Sequence, residues 1–199
     1  VLGIPKEAIQ FKEEFWSGGG NGGEDFEVII QDTEAATLVF MHYAVLDGAM
    51  KELDSRIVDT GYGLERISWI MHGSPTIYDK PLDYLLHYLR HEGGIPRPDQ
   101  NVMQQFARIS GTLNIESEDS VKTFQDRLAK RLDMPWEEIR RTLEPVESLY
   151  AIADHTRSIA WLLREGVVPS NSGVGYLTRL LVRRTLRHIA RLGLQTHLY

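Results

Sequence analysis

Apolar residues along the chain follow two different periods, and the change falls at the end of roughly the first third. β-Branched and aromatic residues concentrate in three short runs, at 26–31, 36–43 and 56–59, which predicts three strands. The glycine-rich stretch at 11–24 and the polar stretch at 46–55 are predicted to be connections. We expect the three strands to form an antiparallel sheet.

The pattern becomes that of an amphipathic helix directly after Gly63. Apolar residues recur on one face as far as Gly73, where this helix is predicted to end. From there the same periodicity predicts helices through the rest of the chain. Their approximate bounds are 81–91, 99–110, 118–132, 135–143, 146–165 and, after a loop, 176–192.

Local signals refine the helical part. Ser117 and Asp133 are residue types that favour helix starts, and we expect a helix to begin after each of them. The helix at 146–165 carries an apolar stripe that we expect to be buried along its whole length. The stripe consists of Leu149, Ile152, Ala153, Thr156, Ile159, Ala160 and Leu163.

Composition changes this picture by excluding several classes of protein. The 199 residues include no cysteine, so disulfides, thiolate zinc sites and cysteine nucleophiles are excluded. No apolar run reaches 18 residues and the start does not resemble a signal peptide, so we expect a cytoplasmic protein without a membrane partner. Because the chain lacks an initial methionine, we expect it to be a piece of a longer protein.

The net charge of −6 conceals an asymmetry. Residues 155–199 contain seven arginines and one acid, for a net charge of +6. The other 154 residues carry 15 basic and 27 acidic side chains, for a net charge of −12. This division indicates two modules, and a polyanion is the expected partner of the second.

The stretch from Asp59 to Arg66 combines residue types that suit a nucleotide-dependent reaction. Asp59 closes a strand, while Gly61 and Gly63 lack a Cβ and allow a ligand to approach the main chain closely. Glu65 and Arg66 fall in the first turn of a helix, where a guanidinium can offer paired donors to phosphate oxygens. The set suits a ligand with an ammonium group at one end and a polyphosphate at the other.

Simpler interpretations of this stretch remain open at the level of the residues. A tight turn with a surface Glu–Arg pair would have the same sequence. The Rossmann fingerprint is absent, because no βαβ unit follows the glycines, and no Gly-Lys-Ser/Thr string marks a phosphate-binding P-loop.

Four segments, taken together, resemble one family of enzymes. VDTGYGLERI (58–67) resembles the third signature motif of class II aminoacyl-tRNA synthetases, in the form that alanyl-tRNA synthetases carry. TLVFM (37–41) is similar to the strand before that motif, and FWSGGGNGGEDFEV (15–28) is similar to the archaeal version of the preceding loop. The segment from ADHTR to LRHI (153–189) is similar to the start of the tRNA-recognition domain.

The resemblance implies a fold and a division of the chain. Residues 1–75 would be the C-terminal part of the class II catalytic domain, with its antiparallel β-sheet. Residues 76–199 would be the N-terminal part of a mainly α-helical tRNA-recognition domain. The chain would then be an internal fragment that lacks the first two class II motifs, and we expect it to be inactive in isolation.

The same resemblance implies a reaction and its residues. The family joins alanine to tRNA through alanyl-adenylate, with ATP and its Mg²⁺ as the nucleotide substrate. Asp59 would hold the α-ammonium group, Gly61 would lie beside the methyl group, and Arg66 would pair with the ATP phosphates; Asp59 and Arg66 are the expected catalytic residues. We expect the alanine pocket to be lined also by Ala36 and Thr37, and ATP to be bound also by Gly63, Glu65 and Glu27. For Glu27 a structural role is favoured over one in binding ATP or a metal, and no zinc or other resident metal is expected in this segment.

The basic helix and the loop before it predict an RNA-binding surface. Arginines at a spacing of four residues would form a ridge that follows a nucleic acid backbone, although a solvated helix paired with the acidic module would look the same. The residues concerned are Arg179, Arg183, Arg187 and Arg191, with Arg184 beside them. By resemblance, Asn171 would read a G·U pair in the acceptor stem of tRNA(Ala); a helix cap is the alternative role.

Two other functions remain open. One is a non-catalytic RNA-binding helical module, in which the glycine motif is only a turn. The other is a related class II enzyme that uses a different small amino acid. His155 is expected to make a structural hydrogen bond, and its further role is open.

Overall fold

A four-stranded antiparallel sheet forms the first part of the protein, and each strand pairs with the next along the chain. The computed structural model describes residues 3–194. A short 3₁₀ turn at Lys6–Ala8 precedes the sheet. The strands are β1 (Ile9–Gly18), β2 (Asn21–Ile30), β3 (Thr33–Leu46) and β4 (Ala49–Tyr62), and α1 (Leu64–His72) follows. With the helices after it, this arrangement confirms the predicted α+β fold.

The prediction of a connection at 11–24 is wrong, because this stretch forms most of the β1–β2 hairpin. Gly19 and Gly20 make the turn, with φ of 60° and 86°. Glycine adopts this backbone region without strain, and a two-residue turn of this kind lets paired strands run up to it on both sides. The two glycines therefore mark a tight turn between paired strands, although the glycine-rich composition of the stretch had indicated a loop.

The polar stretch at 46–55 is also strand rather than connection, apart from its turn. Asp47 and Gly48 turn the chain with φ of 50° and 80°, and β4 begins directly afterwards. Nearly all of β4 is exposed. Its charged residues are therefore tolerated at the sheet edge. They interrupt the alternation of apolar and polar residues from which a strand is predicted.

The helix predicted after Gly63 is confirmed. α1 ends at Gly73, whose φ is 60° and whose N–H donates to the Trp69 carbonyl at 2.9 Å. This left-handed glycine is a common helix end. α1 packs against β3, the strand that supplies most of the buried apolar side chains of this part; they are Ala35, Ala36, Val39 and Met41.

Five helices form the second part of the protein as far as residue 194, where the described part ends. They are α2 (Asp83–Gly93), α3 (Gln100–Ser110), α4 (Glu118–Leu132), α5 (Trp136–Arg164) and α6 (Gly173–Arg191). The predicted start at Ser117 is confirmed, since its hydroxyl accepts a bond from the Ser120 N–H. The start predicted at Asp133 is wrong, because Asp133 ends α4 with φ of 50° and Pro135 precedes α5.

The two helices predicted at 135–143 and 146–165 are one continuous helix, α5, which includes Pro145. Proline removes one backbone donor and usually breaks a helix. Here Leu143 and Val146 are buried on either side of it, so packing keeps the helix whole. The predicted stripe is buried only as far as Ala153, because Thr156, Ala160 and Leu163 are exposed.

The chain divides into two compact units, one ending at Pro81 and the other beginning at Leu82. Whether they correspond to a catalytic and a tRNA-recognition domain stays a prediction. Within residues 3–194, no helix has both the length and the apolar character needed to span a membrane.

Candidate functional site

Two rows of side chains cross the sheet on one face, and four of the eight predicted residues of the first unit lie in them. Residues paired directly across neighbouring strands project to the same face. From β1 to β4 the rows are Lys12, Glu27, Thr37 and Gly61, then Glu14, Asp25, Val39 and Asp59. The register therefore gathers predicted residues from β2, β3 and β4 on one surface, which we call the site face.

Asp59 is exposed on β4, opposite a buried residue of β3. Its direct partner is Val39, of which only 7% is exposed. The strand pairing fixes the backbone of Asp59, and the buried apolar side chain of Val39 lies beside it on the neighbouring strand. A carboxylate held in this way can pair with a ligand cation that approaches from solvent.

Arg66 reaches the site face from the first turn of α1. Its Nη1 donates to the Glu34 carboxylate at 2.9 Å and to the Glu34 carbonyl at 3.1 Å. The other oxygen of that carboxylate accepts a bond from the Thr37 hydroxyl at 2.7 Å. Since Thr37 lies two residues along β3 from the partner of Asp59, the structure brings Arg66 and Asp59 to the same face.

Glu34 was not predicted as a site residue, although it positions Arg66. A β-bulge at Ala35 shifts the β2–β3 register, so that Glu34 pairs with Ile29 and shares a face with Thr37. A regular strand would place these two residues on opposite faces. The sequence offered no signal for this bulge.

The pKa of Glu34 is lowered, first by the Thr37 hydrogen bond and then by Arg66, although burial opposes the shift. A carboxylate with a lowered pKa stays ionised at neutral pH, and its stabilising contribution is lost as pH falls through the lowered value. The pair is about half exposed, with 46% and 39% of the two side chains accessible. It therefore contributes at most about 1 kcal/mol to stability, and its main effect is to orient the guanidinium.

The two motif glycines have different structural roles. A Cβ at Gly61 would meet no atom within 4 Å, so the space beside it is open to a ligand. A Cβ at Gly63 would lie 3.1–3.3 Å from the aliphatic part of Arg66. The Gly63 N–H also donates to the Ala35 carbonyl at 2.9 Å. Gly63 thus allows the Arg66 stem to pack against the end of the strand.

The remaining predicted residues of this unit are placed differently from one another. Glu27 lies on the site face and pairs with Lys12 at 3.4 Å. Glu65 lies in the first turn of α1, beside Arg66 in sequence. Ala36 is buried and alternates to the opposite face from Thr37, so the structure does not bring it to Asp59.

The site face carries more acidic than basic groups. Its acidic members are Glu14, Asp25, Glu27, Glu34 and Asp59, and its basic members are Lys12 and Arg66. Asp25 was not predicted; only 4% of it is exposed, and within residues 3–194 its Oδ1 has no hydrogen-bond partner. Burial raises the pKa of Asp25, and Glu27 and Glu14 raise it further. Such a surface favours a cationic group on its ligand.

In the second unit, the loop before α6 holds Asn171 against an arginine. The Asn171 side-chain carbonyl accepts a hydrogen bond from Arg179 Nη1. The N-cap of α6 is Ser172, and no capping bond from Asn171 is observed. The alternative of Asn171 as the helix cap is therefore wrong, and its role in recognition stays a prediction.

Tight packing at Gly175 fixes the position of this loop. A Cβ there would lie 2.5 Å from the Val168 carbonyl and 2.3 Å from the Ser170 hydroxyl. The Ser170 N–H donates to the Gly175 carbonyl at 3.0 Å. Only glycine lets the loop cross the helix start at this distance, and sequence alone did not identify this residue.

The predicted arginines of α6 are all exposed. Their surroundings differ: Arg179 bonds to the loop, whereas Arg184, Arg187 and Arg191 line a cavity against α5. Among residues 3–194, no carboxylate lies within 4.0 Å of Arg183, Arg184 or Arg187. These charges are available for an anionic partner.

The whole chain, residues 1–199, matches the model of one protein family, tRNA synthetases class II (A). The chain belongs to this family. Membership agrees with the antiparallel sheet and with the strand–glycine–helix motif on its site face.

Similar proteins carry the name alanine–tRNA ligase. The chain is 48% identical over 197 residues to that of Pyrobaculum calidifontis and 47% identical over 197 residues to that of Thermofilum pendens. It is 46% identical over 188 residues to that of Methanopyrus kandleri. These matches cover 99%, 98% and 94% of the chain, but only 22%, 22% and 20% of the relatives. The chain thus spans about a fifth of their length.

Proposed function

We propose that the chain forms part of a ligase that joins alanine to tRNA through an alanyl-adenylate. The observation that supports this most strongly is the shared site face, where a carboxylate on β4 and a guanidinium from α1 flank an open glycine. The names of the relatives give the amino acid. The ammonium group of alanine and the phosphates of ATP would then each have a partner of opposite charge, Asp59 and Arg66, on the same surface.

Asp59 would bind the α-ammonium group of alanine. Its carboxylate is exposed, and the surplus of acids around it favours a cation. Gly61 lies two residues further along β4 and leaves room for the methyl group and the main chain of the substrate. Thr37, the direct partner of Gly61, would close the pocket on the β3 side.

Arg66 would bind the phosphates of ATP. In the first step the alanine carboxylate attacks the α-phosphate, and the bond to pyrophosphate breaks. Negative charge grows on the α-phosphate oxygens and on the leaving group, and a guanidinium already oriented by Glu34 offsets it. No side chain forms a covalent bond, so the residues act by orientation and electrostatics. Gly63, Glu65 and Glu27 would complete the ATP site.

Magnesium would enter this site with ATP, as part of the substrate. Among residues 3–194, no group of three or more histidine, aspartate or glutamate side chains is placed to hold a metal ion. The acids of the site face are spread along its rows instead.

The second unit would bind the acceptor stem of tRNA(Ala). Asn171 presents amide donors at a loop fixed by Gly175, and an amide can read a base edge in the wide minor groove of A-form RNA. Arg179 holds that amide, while Arg183, Arg184 and Arg187 offer charge to the RNA backbone.

A chimeric ligase tests the proposal as a whole. In this chimera, the chain replaces the matching segment of the Pyrobaculum calidifontis relative. We expect it to exchange pyrophosphate into ATP when alanine is added, and far less with glycine or serine. A folded chimera that binds RNA without exchange would favour the non-catalytic module, and exchange with another small amino acid would favour a different class II enzyme.

Replacing Asn171 with alanine should reduce the preference for a G·U pair in the acceptor stem. The change removes one neutral hydrogen bond to the base pair, besides the bond from Arg179, so the ratio of affinities for G·U and G·C duplexes should fall about fivefold. Fluorescence anisotropy with the 199-residue chain measures both affinities. Asn101→Ala, an exposed asparagine on α3, is the matched control and should leave the ratio unchanged. An unaltered ratio in Asn171→Ala would exclude this residue from base recognition.

A further inference from the structure

A basic cavity lies between α5 and α6, apart from the loop that carries Asn171. Its volume is about 390 Å³, near the lower end of the range of small-ligand sites of roughly 300–1,000 Å³. Five of its six lining residues are arginines or histidines. They are His155, Arg184, Arg187, His188 and Arg191, and the sixth is Ala151.

The positive charge of this cavity is largely uncompensated. Among residues 3–194, no carboxylate lies within 4.0 Å of the three guanidinium groups. Glu147 is close enough to Arg191 for their charges to interact, but it does not line the cavity. Three arginines at positions i, i+3 and i+7 of α6 therefore face a shared space with few acids to neutralise them.

The two histidines give the cavity an incomplete set of hydrogen bonds. His188 Nδ1 lies 3.2 Å from the Ser148 hydroxyl, which fixes its ring. The His155 ring is 6.1 Å away, and its buried Nδ1 has no partner within residues 3–194. A buried polar atom without a partner is uncommon in folded proteins. An oxyanion bound among these side chains would provide acceptors for both the imidazole and the guanidinium groups.

We propose that this cavity binds a phosphate group of the RNA. The choice of RNA rests on the function proposed above, whereas phosphate binding itself does not. At about 1.5 Å per residue, Arg187 lies about 22 Å along α6 from the N-cap Ser172, which follows Asn171. The phosphate therefore belongs to a nucleotide several positions away from the base pair that Asn171 reads. It would fix the register of the stem on α6.

Inorganic phosphate tests the cavity without RNA. We expect phosphate, but not chloride at equal ionic strength, to shift the NMR signals of the His155 and His188 rings in a saturable way. The dissociation constant should be on the order of 1 mM. Arg187→Gln should weaken binding about tenfold, because a charge-assisted bond is lost, and Arg191→Gln provides a second, independent variant. Arg141→Gln, at an exposed arginine of α5 outside the cavity, should leave binding within about twofold. Absence of a saturable shift, or equal binding by all three variants, would overturn the proposal.

RNA duplexes then identify the source of the phosphate. If a 5′-phosphorylated stem binds more tightly than a 5′-hydroxyl stem, and Arg187→Gln abolishes the difference, the cavity takes the terminal phosphate. If both stems bind equally and Arg187→Gln weakens both, it takes a phosphate within the backbone. If Arg187→Gln changes phosphate binding but neither RNA affinity, the assignment to RNA is wrong. The G·U preference measured with Asn171→Ala is a separate readout, so failure of the cavity and failure of RNA recognition can be told apart.

Discussion

Replacing Asp59 with asparagine should raise the KM of the chimeric ligase for alanine about 10- to 100-fold, because an ion pair with the α-ammonium group is lost and charge-assisted bonds contribute roughly 1.5–3 kcal/mol. The KM for ATP should change far less. Asp59 is exposed at the sheet edge, so the fold should be retained. Steady-state pyrophosphate exchange at varied alanine and at varied ATP measures the two constants separately.

A second acidic residue of β4 controls for the loss of charge. Glu52 is exposed on the same strand, where it pairs with Tyr43, away from the two rows of the site face. Glu52→Gln should leave both constants unchanged. Equal effects of the two substitutions, or an unchanged alanine KM in Asp59→Asn, would remove Asp59 from the substrate pocket.

Replacing Arg66 with glutamine should have the opposite selectivity. We expect kcat/KM for ATP to fall on the order of 100-fold, because paired bonds to phosphate and charge compensation are both lost. Arg66→Lys should recover only part of this, since an ammonium group lacks the planar fork. The alanine KM should change little. Arg56→Gln, an exposed arginine of β4, is the matched control, and an equal loss there would show a general effect of charge.

Glu34→Gln separates the orientation of Arg66 from its charge. The variant keeps the guanidinium but weakens the bond at 2.9 Å that holds it. We expect an ATP KM several-fold higher and a free energy of unfolding within about 1 kcal/mol of the original, as for other exposed ion pairs. Acidification should act in the same direction, because protonation of Glu34 below its lowered pKa removes the same partner. An ATP KM that is insensitive to this change would mean that Arg66 is held by other groups.

Periodicity predicted those parts of the fold in which one face is buried. α4 was placed at the bounds that the structure shows, and α1 was placed between two glycines that do mark its ends. The strands were predicted only where apolar residues are continuous. β1 and most of β4 were missed because both lie at sheet edges, where exposed and charged residues are tolerated on both faces.

The motif residues of the candidate site could be found from sequence, but not the residues that position them. Asp59, Gly61 and Arg66 belong to one short string. Glu34 lies on the site face because of a bulge at Ala35, and Asp25 lies there because of the pairing across four strands. Neither feature can be predicted from the local sequence. The same limit applies to α6, whose arginines recur every four residues but divide between the Asn171 loop and a cavity against α5. The position of α5 determines which arginines of α6 line the cavity.

A crystal structure of the chimeric ligase with alanine and a non-hydrolysable ATP analogue would test most directly whether Asp59 and Arg66 serve one reaction. We expect a carboxylate oxygen of Asp59 about 3 Å from the alanine nitrogen, and the Arg66 guanidinium paired with phosphate oxygens of the nucleotide bound beside it. An alanine nitrogen held by another group, or a nucleotide bound out of reach of Arg66, would contradict the account.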